Sequence, residues 1–542
     1  MSPSAAPLPP LLTMTGISKS FGPVRALVDA DLEVTQGEVH GLVGGNGAGK
    51  TTLMNVLYGL YRADSGSITF NGSPFSARTP KEAIAAGIGM VHQNLLQVTA
   101  YTVAENILLG MAGGSGRRAE QARITELSER FGLAVDPRAR TGDLSVGARQ
   151  RVEILKVLYR GARLLILDEP TTNLTPQEVD GLFESLKVIV AEGTSVVFIS
   201  HKVREVLAAC QRISVMRDGS RFATVERDSV DAEGLARLMV GELAVEQAGT
   251  AVAALGLAPV GEAEAADDAS PAEHTPAAGP GPAHHARGDV RLTVADLVVD
   301  NDHGVPAVRD VSLRVSGGEV LGIAGVAGNG QAELAEALTG VRRIRSGTVE
   351  VDGVDLTGRQ TAEWLRAGVA YVPEDRHRDG VCGAASVTDN LLLGSQRRDK
   401  YKRFGLIAWR RVREDADRAI EAFSIRTPSA AQQAGMLSGG NIQRVVLARA
   451  FSREPSLLLL HNATRGLDLR STQFVYDRVH EARDNGCAVL VISEDLDELS
   501  LITDRFLVLY DGQIVGEHTA NQYDPYEVGR MMAGLPQDTG RT

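Results

Sequence analysis

The sequence predicts an α/β protein of two tandem domains, each built on a mostly parallel sheet. A chain of 542 residues is longer than a single hydrophobic core normally organises. Its composition is 43% hydrophobic but only 4% aromatic, and aliphatic-rich strands are typical of parallel sheets covered by helices on both faces. The two halves also carry the same motifs in a constant register, which indicates a duplicated domain.

The register of the repeat follows by subtraction. Residues 44–50 (GGNGAGK) pair with residues 325–331 (GVAGNGQ) at an offset of 281. Residues 144–147 (LSVG) pair with residues 437–440 (LSGG) at an offset of 293. One net insertion of 12 residues (293 minus 281), between Glu374 and Leu437, accounts for the change.

The repeat and the composition also set the predicted boundaries. We expect a disordered tail at residues 1–11 and a first domain at residues 12–243. A flexible linker rich in Ala, Gly, Pro and Glu is expected at residues 244–288, followed by a second domain at residues 289–538.

Short buried strands justify the α/β class within each half. Residues 38–43 lead directly into the first glycine-rich loop, and residues 164–167 and 195–199 are apolar runs without a polar face. Strands of this kind that alternate with helical patterns indicate a layered domain around a parallel sheet.

Charge and residue usage narrow the classes of partner. The formal net charge of −12 leaves no basic surplus for a nucleic-acid backbone. The three cysteines are too widely spaced for a metal-ligand pair and indicate a reducing compartment. No run approaches the roughly 20 apolar residues of a membrane span, and the first residues do not resemble a secretory signal. A membrane role would therefore need a partner that supplies the spans.

The first glycine-rich loop fits the phosphate-binding pattern G-x-x-x-x-G-K-[ST]. Its glycines let successive backbone N–H groups turn inward around phosphates at a helix N-terminus. The lysine places a positive charge near the β- and γ-phosphates, and the threonine hydroxyl can bind Mg²⁺. The predicted ATP-binding residues here are Gly44, Gly45, Asn46, Gly47, Ala48, Gly49, Lys50, Thr51 and Thr52.

Two adjacent acids follow the buried strand at residues 164–167. Asp168 is expected to hold the water shell of a Mg²⁺ ion, with Thr51 as the other ligand from the loop. Glu169 is placed to orient or deprotonate the attacking water, which is the positioning task of phosphoryl transfer. The pattern therefore predicts an ATPase whose cofactors are ATP and Mg²⁺.

Residues 144–151 (LSVGARQR) resemble the LSGGQ signature of the ATP-binding-cassette (ABC) family, and they precede LLILDEP at the usual distance. The resemblance covers both halves and implies two tandem ABC ATPase domains. Each domain would add an antiparallel β subdomain and a helical subdomain to its mostly parallel core sheet.

The same resemblance implies roles for three more residues of the first half. Gln93 would sense Mg²⁺ and the γ-phosphate, and His201 would be the switch histidine that contacts the γ-phosphate. Phe21 occupies the position of the aromatic residue that stacks on adenine, although an ordinary packed aromatic is the alternative interpretation.

The second half has lost the groups that handle phosphate, metal and water, while Asp302 faces the position of Phe21. The missing positive charge and two added acids would repel a triphosphate, and an asparagine side chain cannot take a proton from water. Negligible hydrolysis is expected there. The six replacements are Gln331, Ala332, Glu374, His461, Asn462 and Glu494.

The second half nevertheless keeps its signature residues Ser438, Gly439 and Gly440, and it keeps Asp468 in TRGLD. In the family that it resembles, two cassettes sandwich nucleotide head to tail. The resemblance therefore implies that these residues complete the site built on Lys50. The counterpart of Asp468 in the first half is Thr175.

A fused pair with a degenerate second half resembles the ATPases of bacterial nucleoside and monosaccharide importers. Residues 325–331, 373–380 and 169–176 resemble the nucleoside type most, whereas Gly45, His461 and the pair Asn462-Ala463 depart from the family pattern. A pentose or hexose importer is the alternative. A soluble ribosome-acting cassette protein is disfavoured by the acidic charge and the single working site.

This resemblance also implies partners: integral-membrane permease subunits and an extracytoplasmic solute-binding protein. The chain would be peripheral, at the cytoplasmic face of the cell membrane, and would not bind nucleic acid. Residues 94–106 are the candidate docking segment for the permease, or they pack against the chain's own helical subdomain.

Overall fold

A computed structural model describes residues 10–22, 24–45, 47–93, 95–111, 116–172, 174–240, 288–396, 398–403, 406–467, 469–520 and 522–535. The chain divides into two compact units, Met1–Leu257 and Ala258–Thr542. The predicted linker up to residue 287, Asn46 and Asp468 lie outside the described residues. Residues 10 and 11, predicted as tail, belong instead to the first strand, because Leu11 packs into the core of the first unit.

The first unit contains two sheets and a set of helices. Its strands are β1 (Pro10–Phe21), β2 (Val24–Thr35), β3 (Val39–Val43), β4 (Ser65–Phe70), β5 (Ser73–Phe75), β6 (Ile88–Val91), β7 (Leu164–Asp168), β8 (Ser195–Ile199), β9 (Arg212–Arg217) and β10 (Ser220–Glu226). Its helices are α1 (Lys50–Leu57), α2 (Pro80–Ala86), α3 (Val103–Leu108), α4 (Arg117–Arg130), α5 (Val146–Tyr159), α6 (Pro176–Ala191), α7 (Val203–Ala209) and α8 (Ala232–Val240), with 3₁₀ turns at Thr141–Asp143 and Arg227–Ser229.

The central sheet of this unit has the strand order β10-β9-β3-β8-β7-β6. Neighbours from β9 through β6 run parallel, and β10 pairs antiparallel at the edge. Every residue of β3, β7 and β8 is buried, as expected for strands covered on both faces. A second, antiparallel sheet has the order β2-β1-β4-β5, and α3, α4 and α5 pack together beside the central sheet.

The second unit repeats these elements. Its strands are β11 (Val290–Asp300), β12 (Pro306–Ser316), β13 (Val320–Ala324), β14 (Ile344–Val351), β15 (Val354–Asp355), β16 (Val369–Val372), β17 (Lys402–Arg403), β18 (Leu406–Ile407), β19 (Leu457–His461), β20 (Ala488–Ser493), β21 (Arg505–Tyr510) and β22 (Gln513–Thr519). Its α-helices are α9 (Gln331–Ala337), α10 (Thr361–Arg366), α11 (Val387–Leu392), α12 (Trp409–Ala422), α13 (Gly439–Phe451), α14 (Leu469–Asp484), α15 (Leu496–Ile502) and α16 (Pro525–Met532). A π-helix spans Arg376–Gly380, and 3₁₀ turns span Asp399–Tyr401 and Ala434–Met436.

The two units share one topology, which confirms the predicted fold class. The central sheet of the second unit has the order β16-β19-β20-β13-β21-β22, and its antiparallel sheet has the order β12-β11-β14-β15. Strand by strand, this matches the first unit. Among the described residues, no helix is both long enough and apolar enough to cross a bilayer.

The 12-residue insertion divides between two places. The capping boxes that begin α3 and α11 start at Thr102 and Ser386, an offset of 284 (386 minus 102). Three inserted residues therefore precede α11, in the stretch that contains the π-helix (284 minus 281). The other nine follow it (293 minus 284), where β17 and β18 form a short antiparallel pair.

Candidate functional site

Four parallel strands of the first unit bring the predicted site residues to one edge of its sheet. Val91 of β6 pairs with Leu167 of β7, and Asp168 of β7 pairs with Ile199 of β8. Strand β3, which enters the glycine-rich loop, pairs with the other side of β8. Because the carboxyl ends of parallel strands meet at the same edge, the residues that follow each strand converge there.

Steric constraints explain the glycine-rich loop that follows β3. Gly49 has φ +98° at the start of α1, and a Cβ on it would lie 2.9 Å from the carbonyl oxygen of Ala26. A Cβ on Gly44 would lie 2.3 Å from the carbonyl oxygen of Met216. Only glycine avoids these contacts, so the sequence pattern fixes the backbone of the loop.

Lys50 is the first residue of α1, and its side chain turns back into the glycine-rich loop. Its Nζ donates to the carbonyl oxygens of Gly44 at 2.7 Å and Gly45 at 3.1 Å. Burial lowers the pKa of Lys50, whereas the nearby Glu169 and Asp168 carboxylates raise it. The ammonium group is thus held at the centre of a ring of backbone groups, where an anion would meet it.

Thr51 and Asp168 form the second contact of the site. The Thr51 hydroxyl donates to Oδ2 of Asp168 at 3.3 Å. Burial and the charge of Glu169 raise the pKa of Asp168 to about 6, against the opposing effects of Thr51 and Lys50. Hydroxyl and carboxylate oxygens placed side by side are the ligand set that a hard divalent cation prefers.

Glu169 joins three of the converging segments. Its backbone is left-handed, with φ +50°, and its N–H donates to the carbonyl oxygen of Ile199 at 2.9 Å. Nε2 of Gln93 donates to Oε2 of Glu169 at 2.9 Å, while Nδ1 of His201 lies 3.0 Å from Oε1. Burial raises the pKa of Glu169, but the hydrogen bond and charge of His201, with Lys50 and Lys202, outweigh it. The pKa therefore lies below the ordinary value and favours the carboxylate.

Phe21 lies at the end of β1 and is partly exposed. Its ring makes an edge-to-face contact with Tyr61, with centroids 5.0 Å apart and an interplanar angle of 75°. Nζ of Lys19 lies 5.6 Å from the ring centroid. A ring that is 41% exposed is not an ordinary core aromatic, which favours the stacking interpretation over the packing alternative.

The equivalent loop of the second unit keeps its shape without the charge. Nε2 of Gln331 donates to the carbonyl oxygen of Val326 at 2.8 Å, and the N–H of Asn329 donates to Oε1 of Gln331 at 3.2 Å. The amide thus bonds to the carbonyl oxygen of Val326, the counterpart of Gly45, which the ammonium group of Lys50 contacts in the first unit. It offers no positive charge to a phosphate.

After β19, Asn462 stands at the position of Glu169 and keeps the same backbone conformation. Asn462 has φ +45°, and its N–H donates to the carbonyl oxygen of Ile492 at 2.8 Å, as Glu169 does in the first unit. The N–H of Glu494 donates to Oδ1 of Asn462 at 3.2 Å. Burial raises the pKa of Glu494 to about 7, with Arg465 opposing and Glu374 adding to the effect.

Protein groups also pair with one another around the second loop. Glu374, at the position of Gln93, forms an ion pair with Arg465. Nε2 of His461 lies 3.7 Å from Oε2 of the same carboxylate. Asp302, which faces the position of Phe21, pairs with Arg342 at 2.9 Å.

Comparison with known proteins identifies the family. The family model described as ABC transporter matches the chain twice, at residues 27–172 and 308–465. The chain belongs to the ABC transporter family. Cassettes of this family bind ATP and are ATPases that power transport, and the chain carries two of them.

Several ABC import proteins are similar to this chain over nearly its whole length. The glucose import ATP-binding protein TsgD13 of Haloferax volcanii is 39% identical, with 97% of this chain and 96% of the relative covered. The nucleoside import ATP-binding protein NupA of Lactococcus lactis subsp. cremoris is 38% identical, with 97% and 98% covered. The guanosine import ATP-binding protein NupO of Bacillus subtilis is 37% identical, again with 97% and 98% covered.

The structure brings together most of the residues predicted for the ABC site of the first unit. Lys50, Thr51, Asp168, Glu169, Gln93 and His201 lie around one sheet edge, with Gly44, Gly45, Gly47, Ala48, Gly49 and Thr52 in the adjoining loop and helix. Ser438, Gly439 and Gly440 belong to the other unit, where they begin α13. Thr175, the counterpart of Asp468, caps α6 and forms a capping box with Glu178.

Sequence reasoning missed three residues that the structure places beside the ABC motifs. Tyr61 extends the aromatic surface of Phe21. Arg465 pairs with Glu374. The sequence carried a signal for this pair, because Glu374 and Arg465 replace the uncharged Gln93 and Thr172 of the first half. Arg376 contacts the signature turn of the second unit, and nothing in its sequence neighbourhood indicated that contact.

We expect Asp168→Asn to stabilise the nucleotide-free chain at alkaline pH. The pKa of Asp168 is raised from 3.8 to about 6 in the folded state, so its ionisation costs stability as pH rises between those values. The cost is absent below about pH 4 and fully developed above about pH 6, with an upper bound of about 3 kcal/mol.

Thermal unfolding without divalent cations at pH 4 and pH 8 measures this effect. The midpoint of Asp168→Asn should exceed that of the native chain at pH 8 and should match it at pH 4. Asp218→Asn is a matched control, because Asp218 is exposed and Asn also tolerates its left-handed backbone. Equal midpoints for the native chain and Asp168→Asn at both pH values would contradict the assignment.

Proposed function

We propose that this chain is the ATP-hydrolysing subunit of a membrane importer for nucleosides and that it turns over ATP at one site, built on Lys50. The observation that carries the proposal is the placement of the Glu169 carboxylate between Gln93 and His201. At the equivalent positions the second unit has Asn462, Glu374 and Glu494, and the amide of Asn462 cannot take the proton that Glu169 would accept.

In this proposal the loop and the adjacent oxygens bind the triphosphate end of ATP. Lys50 would exchange its bonds to the carbonyl oxygens of Gly44 and Gly45 for phosphate oxygens. Thr51 and Gln93 would supply oxygen ligands for Mg²⁺ and Asp168 would hold its water shell, and the bound ion would neutralise charge on the phosphates. Phe21, with Tyr61 behind it, offers its ring to adenine.

Glu169 would orient the attacking water and accept its proton. Its lowered pKa keeps the carboxylate ionised at neutral pH, which is the form that accepts a hydrogen bond from water. Gln93 and His201 limit the positions that this carboxylate can take. His201 is 40% exposed at the side chain, so it is also able to reach a γ-phosphate.

The second unit would complete the site through its signature. Ser438, Gly439 and Gly440 begin α13, so their N–H groups are those of a helix N-terminus, where anions bind. With Asp468, they would close over the nucleotide held by Lys50. This part of the proposal rests on the motif resemblance, in which each signature serves the loop of the other cassette.

Glu169→Gln should lower ATP turnover by about 10²- to 10⁴-fold while ATP binding is retained, because the amide keeps the shape but cannot accept a proton. Steady-state phosphate release and equilibrium nucleotide binding give the two readouts. Glu184→Gln, at an exposed glutamate of α6, is the matched control. Asn462→Ala should change turnover by less than about twofold; a large loss there would mean that the second site also hydrolyses ATP.

A surface of the first unit suits a permease segment. A cavity of about 180 Å³ lies between β6, α3 and α5 and is bordered by Ile84, His92, Leu96, Leu109, Glu153 and Lys156. Leu96 is 67% exposed. Oε1 of Glu153 is buried and has no hydrogen-bond partner among the described residues, while Oε2 pairs with Lys156 at 2.6 Å. An apolar rim over an unsatisfied acceptor favours an amphipathic helix that carries a donor.

The candidate docking segment at residues 94–106 therefore divides in two. Leu96, which lines the cavity, and Val98 and Tyr101 are exposed, whereas Val103 and Ala104 are buried within the helical part of the unit. We propose that the exposed part contacts the permease and holds the chain at the cytoplasmic face of the membrane. An extracytoplasmic solute-binding protein would deliver the solute to that permease.

Leu96→Ser should weaken co-purification with the permease and reduce the stimulation of ATP turnover by the solute-loaded binding protein. The turnover of the isolated chain should stay within about twofold of native, since Leu96 touches no proposed ATP contact. Val341→Ser is the control, because Val341 is 66% exposed in the other unit. Normal association of Leu96→Ser, or an equal defect in Val341→Ser, would place the docking surface elsewhere.

The substrate class is tested by uptake into cells that carry this chain with its own permease and binding protein. Labelled nucleoside should enter, and Glu169→Gln should abolish that uptake. The similarity to NupA and NupO supports nucleosides, whereas the similarity to TsgD13 supports a monosaccharide as the second candidate. Uptake of labelled glucose or pentose instead would keep the motor and change its substrate.

A further inference from the structure

The segment after β16 of the second unit is fastened along the signature helix α13. Asp375 caps the π-helix Arg376–Gly380 by accepting from two of its N–H groups. At the other end, Nη2 of Arg449 donates to the carbonyl oxygen of Gly380 at 2.7 Å. A Cβ on Gly380 would lie 3.0 Å from Cγ2 of Val446, so the π-helix lies directly on α13.

Arg376 connects this π-helix to two other segments. Its Nη1 donates to the carbonyl oxygen of Arg465 at 2.8 Å, in the loop that runs on to Asp468. Its guanidinium also packs against the first residue of α13, since a Cβ on Gly439 would lie 2.9 Å from Nη2 and 3.2 Å from Nε. A side chain at position 439 would therefore displace the guanidinium of Arg376.

An ion pair reinforces the same arrangement. The side chain of Arg465 pairs with Glu374, two residues before Arg376. Nη2 of Arg376 also lies 3.6 Å from the position of a Cβ on Gly466. The segment at residues 374–376 thus contacts the signature turn on one side and the loop at residues 465–466 on the other.

The first unit has different residues at the equivalent positions. The counterparts of Arg376, Gly439 and Arg465 are Leu95, Val146 and Thr172. The first unit is also three residues shorter in this stretch, and residues 92, 93 and 95–102, which the structure describes between β6 and α3, form no helix. The contact therefore occurs in the unit whose own phosphate loop is degenerate and whose signature is intact.

We infer that Arg376 is a positioning residue for ATP turnover at the site of the first unit. It holds the signature turn at Ser438–Gly440 and the loop at residues 465–466 in one fixed arrangement. The inference rests on the proposed function, in which these two segments complete the site built on Lys50. Arg376 itself makes no contact with nucleotide in this scheme. Its loss would therefore displace the signature turn without removing a group that binds phosphate.

The test is Arg376→Leu in the full-length chain, with kcat, KM for ATP and equilibrium ATP binding measured together. We expect kcat to fall roughly 10- to 100-fold, the scale of an ångström-sized misplacement, with binding to the Lys50 loop within about threefold of native. Arg376→Lys should recover part of kcat, because an ammonium group still donates to the carbonyl oxygen of Arg465 but does not cover Gly439.

Arg378→Leu is the matched control, since Arg378 lies on the same π-helix with its side chain 83% exposed. It should leave kcat within about twofold of native. A double-mutant cycle with Gly439→Ala gives an independent readout. The added Cβ clashes with the guanidinium, so Gly439→Ala should cost less turnover in the Arg376→Leu background than in the native chain.

Four outcomes decide the inference. A fall in kcat with binding retained, a neutral Arg378→Leu and a non-additive cycle support it. If Arg376→Leu has native turnover while Ser438→Ala is inactive, the role of Arg376 is overturned, but the composite site, built on Lys50 and completed by the signature of the second unit, is retained. Native turnover in Ser438→Ala overturns the composite site itself. Equal losses of kcat and ATP affinity with a lowered unfolding midpoint show a merely structural role; if Arg376→Leu does not fold, Arg376→Lys and Gly439→Ala decide.

Discussion

The candidate site depends on one backbone arrangement, in which the residue after β7 turns back and bonds to β8. The N–H of Glu169 reaches the carbonyl oxygen of Ile199 at 2.9 Å, with the backbone in the left-handed region at φ +50°. A non-glycine residue pays for that conformation with about 1 kcal/mol or more, so the surrounding sheet has to impose it. The result is a carboxylate that faces the ends of β6 and β8 at once, where Gln93 and His201 contact it.

The second unit shows that this arrangement does not depend on the catalytic groups. Asn462 has the same left-handed backbone and the same bond to the neighbouring strand, and Asn tolerates that region better than Glu does. Gln331 makes one of the loop contacts of Lys50, to the carbonyl oxygen of Val326, through an amide. The fold thus retains the geometry of the site after the charge has gone, and similarity of structure alone says little about which unit works.

Backbone geometry and catalytic side chains are thus specified separately, and this explains what could be predicted from the sequence. The glycine-rich loops, the buried strands and the acids that follow β7 are local patterns, and the parallel strand order then places Lys50, Asp168 and Glu169 together. The start of β1 at Pro10 was missed because Leu11 is buried by packing and not by any periodic pattern. The contact between Arg376 and Gly439 was missed because it joins distant segments through a π-helix, which no propensity predicts.

In the proposed function, the substitutions between the two units sort by the site that each residue serves and not by the unit that contains the residue. In the second unit the groups around its own loop have become Gln331, Glu374 and Asn462, and Glu374 pairs with Arg465. The signature of the same unit has kept its serine and glycines, and Arg376 packs against it. A unit that was only decaying would lose both sets together. Retention of one set beside replacement of the other is what the proposed function predicts, because in that proposal the signature of the second unit completes the site built on Lys50.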